Sequence, residues 1–306
     1  MLEFQNISLA DKPWIDACVR AENSCSADFN FANMYLWDAE YRQSAAKIGS
    51  RMATKLEYLD KPFFAFPVGG GDLYGAMEAL RAHAAEQGFP FRVGGVTEAH
   101  RAQLEALYPG ALLYTPERDH FDYVYEAERL ATLSGKKLHA KRNHINRFLE
   151  ENPDWHFEPL TAALFPECRA MLAAWSEDHG ENAETAEGLA AEHTAIELAF
   201  AHYDALGLEG GALFSGEKLL AFTIGEKISA DTYDVHFEKA PADVQGAYPM
   251  INREFARLIL KKHPEIKYIN REDDMGLDGL RKAKLSYDPA FLVEKYSAVF
   301  RGETRI

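Results

Sequence analysis

The chain has 306 residues and is 47% apolar, which is enough to fill the cores of two ordinary domains. Its formal charge of −15 excludes a general nucleic-acid binder: DNA is not expected, and any RNA contact needs a concentrated basic patch. The three cysteines, Cys18, Cys25 and Cys168, make no disulfide framework and suit a reducing cytoplasm, while a signal sequence and a run of about 18 apolar residues are both missing.

Asp11 and Pro13 open a helical pattern through Ile15, Cys18 and Val19. The aromatic run Phe29, Phe31, Tyr35, Trp37 and Tyr41 has the density to stack bases, but reads first as core of an N-terminal domain. Phe63–Val68 is a strand. Gly69, Gly70 and Gly71 follow, with Asp72 at the start of a helix to about Gln87. This is a turn with an N-cap; the spacing is not that of a dinucleotide loop, and no P-loop lysine follows. After a short strand at Phe91–Val93 and a helix over Glu98–Leu107, Leu112–Tyr114 and Phe121–Tyr125 close the first domain as strands. The polar stretch from Glu126 to Gly135 is the expected junction, giving domains at 1–128 and 129–306.

Lys136–Glu150 is a helix with an apolar stripe of Leu138, Ile145, Phe148 and Leu149. Lys141 and Arg142 interrupt that stripe, and Lys136–Arg147 holds five basic residues and no acid, the best local anion site in an acidic chain. Lys137, His139, Lys141, Arg142 and Asn143 are the candidate polyanion-binding residues. A basic helix that only pairs with acidic neighbours is the alternative. Trp155–Glu158 is a strand, Pro166–Trp175 a helix, Asp178–Glu187 an acidic mobile loop, and Ile196–Tyr203 helical. A hairpin turns at Ser215-Gly216, and Phe291–Phe300 supplies the last strands of the second domain.

Tyr233 to Tyr287 is the most informative stretch. Tyr233, Val235 and Phe237 alternate with Asp234, His236 and Glu238, a strand with two unlike faces. Pro241 and Gly246 mark a loop, and Ile251, Phe255, Leu258 and Ile259 form one stripe of a helix that Pro264 ends. Ile266–Asn270 is a second short strand. Polar residues crowd the C-terminal ends of both strands, where ligands of α/β sheets bind.

The runs HFEKA, QGAY, INREFA, YINREDDMGL, GLRKAKLSY and KKLHAKRNHINRF resemble the DUF2156 family, which is related to the C-terminal catalytic domain of phosphatidylglycerol lysyltransferases. The resemblance runs over nearly the whole chain. It implies an α/β mixed-sheet fold of two tandem GNAT-like acyltransferase domains, similar to the tRNA-dependent aminoacyltransferases of the Fem group. It also implies a site in the second domain. Those lysyltransferases carry a membrane domain ahead of this module; no such segment is read here, which counts against a lipid acceptor.

Acyl transfer needs a held nucleophile, a base and oxyanion donors. Glu238, Glu272 and Asp273 are the candidate bases or amine binders. Arg271, with Lys282 and Lys284, is the candidate donor set. His236, Lys239, Gln245, Gly246, Asn252 and Tyr287 complete the expected binding surface. The expected reaction is aminoacyl transfer from tRNA to an amine or hydroxyl of a small molecule, peptide or lipid head group, with no further cofactor. Acetyl-CoA transfer is the main rival; its pyrophosphate loop wants a second glycine that DVQGAY lacks. A non-catalytic binding module is the third reading. No metal is expected: H-E-x-x-H is absent, and His139 and His144 fall on different helix faces.

Overall fold

The computed structural model describes residues 2–58, 61–179 and 183–303. In chain order the strands are β1 (Gln5–Asn6), β2 (Ser44–Ile48), β3 (Arg51–Tyr58), β4 (Lys61–Ala65), β5 (Val68–Gly69), β6 (Val93–Thr97), β7 (Leu112–Pro116), β8 (Asp122–Glu126), β9 (Trp155–Pro159), β10 (Glu209–Ser215), β11 (Lys218–Lys227), β12 (Thr232–Lys239), β13 (Tyr268–Asn270), β14 (Phe291–Val293) and β15 (Lys295–Phe300). The helices are α1 (Lys12–Glu22), α2 (Phe31–Leu36), α3 (Asp38–Tyr41), α4 (Leu73–Gln87), α5 (Glu98–Leu107), α6 (Ala127–Thr132), α7 (His139–Glu151), α8 (Phe165–His179), α9 (Ala183–Ala201), α10 (Tyr203–Leu206), α11 (Ala247–Lys262) and α12 (Asp278–Leu285).

The chain divides into two compact units, Met1–Asp122 with Val293–Ile306, and Tyr123–Leu292. The division differs from the expected 1–128 and 129–306 in two ways. Strand β8 joins the second sheet, and β15 leaves the second domain to lie between β6 and β7 of the first sheet. Strand pairing is long-range, so the chain order of elements does not reveal it.

The first unit holds a mixed sheet in the order β1-β2-β3-β4-β6-β15-β7, with β5 against β3. Its core includes Ile15, Phe31, Phe64, Phe66, Met77, Leu80 and Leu104. Asp72 caps α4 through a hydrogen bond from the Gly75 N–H, as its position after three glycines predicts. Phe29 and Phe31 of the aromatic run are buried, whereas Tyr35, Trp37 and Tyr41 are half-buried.

The second unit holds a sheet in the order β14-β8-β13-β12-β11-β10-β9. Within it β12 and β13 run parallel, and the hairpin β10–β11 turns at Ser215 and Gly216 as expected. One face of the sheet packs against α6, α7 and α11: Phe255, Ile259, Tyr233 and Val235 form one cluster, and Ile145, Phe148, Leu213 and Met250 another. The other face carries α8 and α9, where Phe200 stacks against Phe165 and lies against Phe222. The loop expected at Asp178–Glu187 is largely helical: its ends belong to α8 and α9, and residues 180–182 lie outside the described residues.

Candidate functional site

The site is built where β12 and β13 part. Their parallel ladder pairs Thr232 with Tyr268, Tyr233 with Ile269 and Asp234 with Asn270, and stops there. Strand β12 continues to Lys239, still paired with β11, while β13 stays with β8. Two consecutive residues at the end of β13 reach back across the divergence. Arg271 Nη2 donates to Glu238 Oε1 at 2.9 Å, and His236 Nδ1 lies 3.1 Å from Glu272 Oε1.

These two contacts lie on opposite faces of the sheet, and a bulge explains why. Ile224 pairs with Phe237 but Gly225 with Val235, which leaves His236 as an extra residue in β12. The extra residue flips the alternation beyond it. Tyr233 and Val235 pack in the cluster with Phe255 of α11, and Glu238 turns to the same helix, accepting from Asn252 Nδ2 at 3.2 Å. Asp234 and His236 face the α8–α9 side, together with Phe237. The sequence expectation that His236 and Glu238 share a face is therefore corrected.

On the α7–α11 face, Glu238 is held by both oxygens, Oε1 by Arg271 and Oε2 by Asn252. The Arg271 and Glu238 side chains are 14% and 7% exposed. Burial alone would lower the arginine, but the Glu238 charge, with Tyr287 and Tyr125 beside it, carries it above its ordinary value. The guanidinium carbon lies 4.8 Å from the Tyr287 ring centre and 5.8 Å from that of Tyr125. Its Nη1 is buried and makes no hydrogen bond among the described residues. Burial also raises the phenols of Tyr287 and Tyr125, so both stay protonated. Lys141 Nζ sits 3.8 Å from the centre of the same Tyr287 ring. Burial, then the charge of Arg271, lowers its pKa to about 8, against the pull of Glu238.

On the α8–α9 face, His236 is fully enclosed, with Glu226 Oε1 3.3 Å from Nε2, and Glu272 Oε1 and Asp234 Oδ2 3.1 and 3.6 Å from Nδ1. Burial opposes a charged ring, but the hydrogen bonds to Glu226 and Glu272 and the charge of Asp234 raise its pKa well above the ordinary value. These carboxylates therefore favour the charged form of the ring. Asp234, His236 and Glu272 offer ligand atoms within 4.8 Å of one another, the spacing of a metal site. The carboxylates favour the charged form of the ring, and a metal ion there would compete with its proton. Lys239 lies on this face too, bonded to Glu192 at 2.6 Å.

The remaining expected residues are dispersed. Asp273 accepts from the Met275 N–H in an exposed turn. Lys284 donates to the Arg271 carbonyl and so fixes that segment. Lys282 and Gln245 are exposed. Four of the five basic residues between Lys136 and Arg147 have partners, the expected polyanion binders Lys137, Lys141 and Arg142 among them. Lys137 pairs with Asp288, Arg142 donates to the Leu133 and Gly135 carbonyls, Arg147 pairs with Glu151, and Lys141 lies on Tyr287. His139 and Asn143 are exposed and bonded to each other. Sequence reasoning passed over Tyr125, Glu226 and Asp274 as members of the set. Asp274 is fully buried, accepting from the Tyr123 hydroxyl at 2.5 Å and from Arg281 at 2.8 and 2.9 Å. A carboxylate run behind a strand was the available signal, and it pointed one residue short.

Gly246 is a packing residue. Its φ is +80°, and a Cβ there would meet the His144 carbonyl oxygen of α7 at 2.3 Å. Helix α7 thus crosses the start of α11 in direct contact. The Ala247 N–H is spent on the Val244 carbonyl, and Pro249 has no N–H. Few donors remain there for a pyrophosphate.

Two mixed-sheet units of this kind make a tandem GNAT-like fold, with polar side chains gathered where two parallel strands of the second unit part. The chain belongs to the family described as phosphatidylglycerol lysyltransferase, C-terminal, whose model matches residues 22–299. The resemblance read from the motifs is thereby borne out. A conserved protein of unknown function from Bacteroides thetaiotaomicron is 39% identical, with a TM-score of 0.92 over 98% of this chain and 100% of that one. The DUF2156 C-terminal domain of an Agrobacterium fabrum protein described as a lysylphosphatidylglycerol synthetase shares the fold at 15% identity and TM-score 0.67, covering 96% of this chain and 93% of that one. FemX shares it at 10% identity and TM-score 0.58, covering 96% of each chain. Among curated proteins, an uncharacterised protein of Mycoplasmoides gallisepticum is 24% identical over 180 residues, 57% of this chain. The match spans about half of that relative's length, 54%. Among the described residues no helix is long and apolar enough to cross a membrane.

Proposed function

We propose that this protein transfers an aminoacyl group from tRNA to an amine or hydroxyl acceptor, at the α7–α11 face of its second unit. The observation that carries the reading is the buried Arg271, fixed by Glu238 and Tyr287, whose Nη1 makes no hydrogen bond among the described residues. A substrate carbonyl would supply the missing acceptor, and the same nitrogen would bear on the oxyanion as attack proceeds. No covalent intermediate is required, because holding acceptor and ester together supplies much of the acceleration. Family membership and the fold shared with FemX support this class of donor. The crowding at Gly246 disfavours acetyl-CoA, whose pyrophosphate would need the start of α11.

The test incubates the protein with tRNA charged with labelled amino acids and with extracts fractionated into lipids, peptides and small molecules. Transfer of label from tRNA to one fraction, lost in R271K, supports the proposal. Failure with every charged tRNA, together with a rise in melting temperature with acetyl-CoA, would replace it by acetyl transfer. A ligand at 100 times its Kd stabilises by about 2.7 kcal/mol.

A further inference from the structure

We infer that Lys141 is the proton acceptor of this site, taking the proton from the attacking amine or hydroxyl. The inference rests on the aminoacyl-transfer reading above and adds a role that the sequence had not assigned to this residue.

The carboxylates that the sequence offered as bases are committed elsewhere. Both Glu238 oxygens are hydrogen-bonded, to Arg271 and Asn252. Glu272 lies on the opposite face against His236, and Asp273 closes a turn. His236 is on that opposite face as well, enclosed by Glu226, Asp234 and Glu272. Tyr287 and Tyr125 are buried phenols.

Lys141 differs from all of these. It makes no ion pair among the described residues. Its amine is half-buried on the Tyr287 ring, 3.8 Å from the centre, and Arg271 lies over the same ring at 4.8 Å. A carboxylate partner would hold the amine protonated, whereas burial and a neighbouring guanidinium favour the neutral, basic form. The charged groups bearing on it are Arg271, from the end of β13, and Glu238, from β12. With a pKa near 8 about half the amine is neutral at pH 8, against about 0.3% for an ordinary lysine at 10.5. The backbone beneath it is fixed: Ile145 and Phe148 of α7 are buried, Arg142 ties the helix to the Leu133 and Gly135 carbonyls, and α11 packs against the His144 carbonyl.

The step balances without a co-reactant. The acceptor nitrogen or oxygen attacks the ester carbonyl carbon, and its bond to carbon forms. The bond from that carbon to the ribose oxygen breaks. The proton moves from the acceptor to Lys141 Nζ and on to the ribose oxygen that leaves, which returns the lysine to its neutral form.

The experiment has two readouts on the full chain. Competitive labelling of the purified protein with acetic anhydride from pH 6 to 11, read by peptide mass spectrometry, follows the amine directly and is expected to give a Lys141 midpoint near 8. Single-turnover transfer from charged tRNA is expected to fall at least 100-fold in K141M and in K141R. Their KM should stay within threefold, and circular dichroism should match the parent protein. Transfer by K141M within threefold of the parent, or a labelling midpoint near 10.5, overturns the inference and leaves aminoacyl transfer standing. A parent protein that transfers nothing from any charged tRNA overturns the aminoacyl reading, and the role of Lys141 in it falls too.

Discussion

Removing either partner of the Arg271–Glu238 pair should cost far more than the hydrogen bond between them. The pair is 2.9 Å apart, and neither side chain is more than 14% exposed. A partner left alone is a buried charge without compensation, worth about 3–5 kcal/mol. The two single losses are not equal. In R271M, Glu238 keeps Asn252 and has Lys141 as a remaining cation nearby. In E238Q, Arg271 keeps no carboxylate partner among the described residues, so this variant is expected at the upper end of the range. The double variant E238Q/R271M leaves no lone charge of the pair, and its loss should lie well below the sum of the singles. The coupling is expected at about 2–3 kcal/mol. Urea denaturation at pH 7, followed by circular dichroism, measures all four corners of the cycle. A coupling under about 0.5 kcal/mol would mean the pair is solvated or mobile, and the case for a rigid cationic donor at the site would fail.

Two further outcomes test the supports of the site. G246A should cost about 2–4 kcal/mol, because a left-handed backbone disfavours alanine by about 1 kcal/mol and the Cβ meets the His144 carbonyl at 2.3 Å. G216A, at φ +56° with open space around it, should lose only the first of these, and equal losses in the two would refute the close approach. His236 has a folded pKa above its unfolded value, so its charged form stabilises the fold fully below about pH 6.5, and that stabilisation fades as pH rises toward the folded pKa. The stability advantage of the parent over H236Q should therefore be level from about pH 5 to 6.5 and shrink above it; an advantage that grows with pH would contradict a buried imidazolium.

Much of the second unit was legible because its signals are local. The stripe from Ile251 to Ile259, the turn at Ser215-Gly216 and the alternation from Tyr233 to Glu238 each name their own element. What stayed hidden depends on a partner strand. The bulge at His236 exists only in relation to Ile224 and Gly225, so the sequence put His236 and Glu238 on one face when the register divides them. The return of β15 to the first sheet is likewise a pairing with β6 and β7, invisible in the run Lys295–Phe300 itself. Lys141 was noticed for breaking an apolar stripe and read as an anion binder. Its place on the Tyr287 ring, far along the chain, could not be read from α7 alone.

The end of β13 explains how one short segment can serve both faces. Asn270 closes the ladder with β12, and its side chain accepts from the Glu272 N–H at 2.7 Å. Glu272 adopts φ +55°, a left-handed backbone that costs a non-glycine residue about 1–2 kcal/mol. Pairing with β8 continues through this turn, from the Arg271 N–H to the Tyr123 carbonyl and from the Tyr123 N–H to the Glu272 carbonyl. Lys284 holds the Arg271 carbonyl, and Asp274 gathers the Tyr123 hydroxyl and Arg281. With the backbone pinned on the β8 side, the strained turn is free to send Arg271 toward Glu238 and Glu272 toward His236. The strain is therefore tied to the geometry of the site, which is where the unused donor and the depressed lysine both lie.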